Sequence, residues 1–253
     1  MSFDLFSMLE NTACNNEWYN ETSIQYKQAD IDFLNAYFSE GLNISLLEGC
    51  SRILFELSFN AFDVFLHAWL SELPVKRETV VFGRKIIDKT SDACYSDLEK
   101  IQIAEKIITD RTDINTLAVL KAATKVQHEI HRMMGFLRFL PDANGEFIAK
   151  CQPDHLILPC LAEYFTARFG ETAWSIIDEK RGLCLRRLPG SKAKTTILHD
   201  AVFTKSGKDE WEELWKHYHK TINNEDRNNP DLQRQFMPKR YWKYLPEIPT
   251  SPP

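Results

Sequence analysis

The chain is short of the features that announce a chemistry. Its six cysteines (Cys14, Cys50, Cys94, Cys151, Cys160 and Cys184) are scattered over 253 residues with no C-x-x-C pair among them. An iron–sulfur cluster or a structural zinc therefore has no ligand spacing to rest on, and no metal or other cofactor is expected. Cys151 and Cys160, flanked by apolar side chains, read as buried thiols. No basic segment leading into an apolar one opens the chain, so no secretory signal is expected, and a reducing cytoplasm is the expected compartment. Long apolar runs are missing too. The Leu- and Phe-rich stretch 45–73 is interrupted by Glu48, Arg52, Glu56, Asp63 and His67, a spacing of charges that excludes a spanning helix. Repeats and low-complexity tracts are absent.

What is present is the composition of a globular protein, 43% hydrophobic and 26% charged. The length suits one large domain, or one domain with an appendage, with a sizeable core. A net charge of −5 argues against indiscriminate binding along nucleic acid and leaves only a local patch to do it. The stretch Arg227 to Lys243 is such a patch: it holds five basic residues and one acid, set among aromatics. Local charge reversal beside rings is what a phosphate or nucleic-acid contact requires.

The pattern along the chain predicts an extension over 1–44 with a short amphipathic helix near Ile31–Phe38, one α+β domain over 45–248, and a frayed tail over 249–253. Ser51–Leu57, a compact apolar run, predicts a buried strand. Ser58 then caps a helix carrying Phe62, Phe65, Leu66, Trp69 and Leu73, and Thr79–Phe82 predicts a second strand, completing a β-α-β unit. Residues 95–108 read as an amphipathic helix with Leu98, Ile101, Ala104, Ile107 and Ile108 on one side. Thr116–Met134 reads as a stronger one, with Val119, Ala123, Val126, Ile130 and Met133 on one face and Lys121, Lys125, His128 and Arg132 opposite, His131 at the margin. Gly135 stops it, Phe136–Phe139 and Glu146–Gln152 form a hairpin around Pro141-Asp-Ala-Asn-Gly145, and a helix begins near Pro159. Trp174–Asp178 pairs with Gly182–Arg187, and a strand follows at Thr195–Leu198. Ser206-x-x-Asp209 predicts a capping box, ahead of a helix whose Trp211, Leu214, Trp215, Tyr218 and Ile222 share a core-facing stripe. Asn229-Pro230-Asp231 caps one more helix and Pro238 opens a short turn. The fold expected is α+β: a small mixed sheet with helices packed on it and a C-terminal helical segment.

Each constellation has two readings. Lys121, Lys125, His128 and Arg132 are a solvated helix face or a row of phosphate contacts. His128 and His131 stand three apart, where one metal could bridge them with Asp154 and His155 completing the site, but they are one residue short of the His-Glu-x-x-His zinc geometry. Asp154-His155 is an acid/base pair, or a helix cap beside a first-turn histidine. Asp178 and Arg181 read as a strand-end ion pair. Tyr241, Trp242 and Tyr244 alternate with Lys239, Arg240 and Lys243: the rings either stack on unpaired bases or dock back on the domain as a clamp, with Arg240 holding a carboxylate.

Four segments together resemble a known family. They are Glu129-Ile-His131-Arg132-Met-Met-Gly135-Phe136-Leu-Arg138-Phe139, Pro153-Asp154-His155 followed by Leu158-Pro159, Trp174-Ser-Ile-Ile-Asp178-Glu-Lys-Arg181-Gly182, and Leu214-Trp215 with Arg227-Asn-Asn-Pro230 through Met237-Pro238-Lys-Arg240-Tyr241-Trp242. In this order they are similar to a bacterial family of unknown molecular function described as probable DNA-metabolism proteins. The resemblance runs from roughly residue 50 to 248 and is tight after about 125. It implies a gene beside one for a radical-SAM protein and, in some members, fusion to a uracil-DNA-glycosylase domain. No such domain accompanies these segments, so glycosylase activity is not expected of this chain.

Residues and resemblance together predict a nucleic-acid-binding accessory protein in DNA repair or modification, acting with a radical-SAM partner and no membrane. Its contacts would be Lys121, Lys125, His128, Arg132, Arg138, Arg181, Arg227, Arg234, Lys239, Arg240, Tyr241 and Trp242. The alternative is an enzyme acting on a nucleotide or damaged base, with His131, Asp154 and His155 as its chemical groups.

Overall fold

The computed structural model describes residues 44–142, 144–198, 210–224, 227, 229–246 and 248. The expected helix near Ile31–Phe38, the capping box at Ser206–Asp209 and the tail lie outside them, as does Cys14. By contact the described residues divide into two compact units, one made of residues 44–130 together with Asp154–Glu163, the other of His131–Pro153 and the described residues of 164–248.

Among the described residues the first unit is helical. It contains α1 (Ile44–Leu57), α2 (Phe59–Leu70), α3 (Lys76–Thr90), α4 (Asp97–Thr109) and most of α5 (Ile114–Phe136). The two strands expected here are α1 and α3, so the predicted β-α-β unit does not form. The reason is visible in burial. Ser51, Leu54, Phe55 and Ser58 are buried while Arg52, Ile53 and Glu56 are exposed, a period of three to four residues hidden inside a run too short to show it. In α3 the buried set Thr79, Phe82, Gly83, Ile86 and Thr90 has the same period, and Val81 faces out. Chain chemistry at the ends was clearer. The Ser58 hydroxyl accepts from the Ala61 N–H, and Ser96 with Glu99 forms a capping box at the start of α4. On α4 the inward face narrows to Ala104, Ile107 and Ile108, with Leu98 and Ile101 exposed.

The second unit is built on a five-stranded sheet in the order of the chain: β1 (Leu140–Pro141), β2 (Phe147–Cys151), β3 (Trp174–Asp178), β4 (Leu183–Arg187) and β5 (Lys194–Ile197). Neighbours are antiparallel except β2 and β3, which run parallel with Phe147 opposite Trp174. Phe136–Phe139 therefore contributes no strand, and the first arm of the hairpin is only Leu140–Pro141. A parallel pair requires a crossover, and here it contains a 3-10 turn (Leu158–Leu161) and α6 (Ala162–Phe169). Phe165 and Phe169 of α6 pack on Trp174. Every residue of β3 is buried, as befits a strand covered on both faces. Beyond the sheet come α7 (Glu210–Ile222), α8 (Pro230–Phe236), capped by the Asn229 side chain, and a 3-10 helix over Lys239–Tyr244. The architecture is α+β, a mixed sheet with helices on it and helices after it.

One glycine tests the packing of the first unit. A Cβ on Gly83 would stand 2.9 Å from the Phe65 ring, and that ring is buried and stacked on Trp69. Gly→Ala inside a helix ordinarily stabilises by about 1 kcal/mol. Here overpacking reverses the sign, and Gly83→Ala is expected to cost about 1–3 kcal/mol in urea denaturation.

Candidate nucleic-acid interface

Helix α5 begins at Asp113, whose carboxylate accepts from the Thr116 hydroxyl at 2.7 Å and from Lys85 at 3.0 Å. These two bonds hold the Asp113 pKa down at about 2. From there Val119, Ala123, Val126, Ile130 and Met133 are buried, as their spacing requires. On the other side Lys121, Lys125, His128 and His131 are exposed and Arg132 is half-buried. Among the described residues none of these five makes a side-chain hydrogen bond or ion pair. The contact division falls after Ile130, so Lys121, Lys125 and His128 belong to the first unit, His131 and Arg132 to the second.

Glu129 lies on the inward side of α5 and is 2% exposed. Its two oxygens accept from the backbone N–H groups of Asp154 and His155, at 2.7 and 2.8 Å. A buried carboxylate is tolerable only with donors of this quality. Next to it the Nδ1 of His155 accepts the Glu72 N–H at 3.3 Å, and Leu156 N–H donates to the Leu70 carbonyl. Accepting at Nδ1 leaves the proton of a neutral imidazole on Nε2. Asp154 and His155 are thus placed by their main chains within the first unit, while His131 stands exposed in the second. Sequence reasoning quoted Glu129 without giving it a task. A lone carboxylate among Val126, Ile130 and Met133 was the available signal.

The first unit holds a further cluster that the sequence pattern does not single out. Asp63 and His67, one turn apart on α2, approach to 3.2 Å, and Gln127 of α5 donates to the same carboxylate at 2.8 Å. Burial on its own would lower the His67 pKa, but the hydrogen bonds and charge of Asp63 outweigh it and leave the pKa raised.

In the second unit the expected contacts separate by exposure. The Arg181 side chain, 3% exposed, holds Asp178 at 2.7 Å and the Pro153 carbonyl at 3.1 Å. Asp178 also accepts from the Lys180 N–H, and Gly182 completes the turn at φ 64°. Tyr241 is buried against Phe136, with the Arg240 guanidinium 4.6 Å from its ring centroid. Tyr244 donates to Glu179 at 2.7 Å, and burial together with that carboxylate raises its phenol pKa. The half-buried Trp242 donates to the Met237 carbonyl at 2.7 Å and lies under Lys239. Tyr241 and Tyr244 thus dock back within their unit, as a clamp. Arg234 pairs with Asp231 on α8, Arg227 is exposed, and Arg138 bonds the Gly135 carbonyl and stacks over Trp215. The stripe expected to be core on α7 faces out instead: Leu214 is 56% exposed, Trp215 40%, Tyr218 51% and Ile222 58%. The Trp211 side chain lies outside the described part. Cys151 and Cys160 are buried thiols. Among the described residues no three His, Cys, Asp or Glu side chains are grouped to hold a metal, and no helix is long and apolar enough to cross a membrane.

Two measurements check these assignments. Glu129→Ala strands two N–H donors and is expected to cost about 2–4 kcal/mol in urea denaturation. For His67 the folded pKa lies above the unfolded one. The stability it lends is fully present below about pH 6.5 and is lost as pH rises through the folded value. His67→Gln should therefore narrow the gap between denaturation midpoints at pH 6 and pH 9.

Neither the curated proteins nor the solved structures gave a match to the chain. Residues 88–247 match the model of a family described as Domain of unknown function DUF4130. That span is more than half of the sequence, and the chain belongs to this family, whose function is unknown.

Proposed function

We propose that this protein is a nucleic-acid-binding accessory factor of DNA repair or modification, meeting backbone phosphates through the exposed face of α5. The observation that carries the reading is the unpaired state of Lys121, Lys125 and His128 among the described residues. Several arginines of the second unit are paired internally instead: Arg181 on Asp178, Arg186 on Glu146, Arg187 on Glu171, Arg234 on Asp231. Three free cationic or protonatable groups on one helix face, in a chain of net charge −5, are available to displace counterions from a phosphate backbone. Arg132, Arg227 and Lys239 are the further candidates of the second unit. The resemblance to a family encoded beside a radical-SAM protein adds a partner of that class to the proposal, to be sought by co-purification.

The enzymatic alternative draws less support, because the His155 Nδ1 and both backbone N–H groups of the Asp154-His155 pair are already engaged in holding the first unit together.

Binding to single- and double-stranded oligonucleotides across a salt series tests the proposal. The Lys121→Ala, Lys125→Ala double variant is expected to reduce the slope of log K against log salt by about 2 and to weaken all sequences alike. Arg181→Ala should leave that slope alone and lower the melting temperature. No binding at low salt, or a slope unmoved by the double variant, contradicts it.

A further inference from the structure

Residues directly opposite one another on paired strands share a face of the sheet. The register of β3, β4 and β5 therefore sets Ser175, Arg186 and Lys194 in one row on one face. Trp174, which meets Phe165 and Phe169, alternates with Ser175, so this row is on the side of the sheet away from α6. Arg186 and Lys194 are both exposed and stand directly across from each other. Like charges so placed repel and weaken the pairing of their strands. Glu146 relieves part of that repulsion. Its carboxylate, 7% exposed, accepts from the Nε of Arg186 at 3.0 Å and from Nη2 of the same guanidinium, and the Ser175 hydroxyl donates to it as well. Two cations then share one carboxylate.

We propose that Arg186 and Lys194 form a binding site for a phosphate group on this face of the second unit. Glu146 holds one edge of the planar guanidinium, and Nη1, which has no partner among the described residues, points away from the carboxylate. A phosphate there meets a fork already fixed in orientation, so little side-chain freedom is lost on binding. Lys194, also without a hydrogen bond or ion pair among the described residues, supplies the second positive charge from the neighbouring strand, its Cβ roughly 5 Å from that of Arg186. The bound anion provides the negative charge that the pair lacks, with charge-assisted bonds to both side chains. The phosphate belongs either to a nucleic-acid backbone or to a small phosphorylated molecule. No residue of α5 takes part, so the site stands or falls apart from the contacts proposed for that helix.

Two probes test it on the full chain carrying Lys121→Ala and Lys125→Ala, which silences those contacts. One is inorganic phosphate followed by phosphorus NMR, the other a DNA oligonucleotide without terminal phosphates followed by fluorescence anisotropy, both at constant low ionic strength. Adding Lys194→Ala is expected to weaken the binding of at least one probe about fivefold or more. Lys194→Arg should retain binding, and Lys216→Ala, which removes the same charge from α7, should leave it unchanged. Lys194 is exposed, so these variants leave the fold intact, whereas Arg186→Ala would strand the buried Glu146. A loss that includes the oligonucleotide identifies a backbone phosphate, and a loss confined to inorganic phosphate identifies a small phosphorylated molecule. If Lys194→Ala weakens neither probe, or Lys216→Ala weakens both as much, the proposal is overturned.

Discussion

The first unit turns on a carboxylate that has no water. Glu129 sits among the apolar side chains of α5, and an unpaired charge there would be far too costly to bury. Two main-chain N–H groups from Asp154 and His155 remove that cost. In doing so they fix which side of α5 faces inward, because rotating the helix to expose Glu129 would strand both donors. The face bearing Lys121, Lys125 and His128 is turned to solvent by the same constraint. Asp63, held by His67 and Gln127, ties α2 to α5 in the same sense.

The second unit follows a similar economy. Arg181 looks like a phosphate ligand in sequence but acts as a bolt, joining the Asp178 turn to the Pro153 carbonyl. Glu146 is buried at the sheet, bonded by Arg186 and the Ser175 hydroxyl, and Glu179 gathers Tyr244, Lys150 and Lys243. Much of what the quoted segments contain is therefore scaffold. Tyr241, buried on Phe136, belongs with it rather than with any stacking surface.

Capping chemistry and long periodic runs were legible from the residues alone. Ser58 and Asn229 each have a side-chain oxygen that only a helix start uses well, and the four-three-four-three spacing of α5 leaves one answer. Short runs were not legible. In α1 and α3 a seven- or four-residue window contains the same apolar density for strand and helix, and only the neighbouring turns reveal which residues are buried. The stripe on α7 shows the opposite limit. Periodicity identifies the apolar face of a helix correctly and says nothing of whether the chain itself covers it. For the site, exposure decided what charge counts could not: Arg181 and Arg132 are the same residue type, one sealed on a carboxylate and one half-open and unpaired. Glu129 was readable in principle, as a carboxylate at an inward helical position, but its donors come from a loop about 25 residues away, and that pairing is a property of the fold.

Amine labelling followed by mass spectrometry, with and without a single-stranded oligonucleotide at low salt, addresses the account most directly. Lys121 and Lys125 should label readily in the free protein and be protected by the oligonucleotide. Lys76, bound to the carbonyls of Trp69 and Ser71, should label alike in both states. Lys121 and Lys125 labelling equally with and without the oligonucleotide would contradict it.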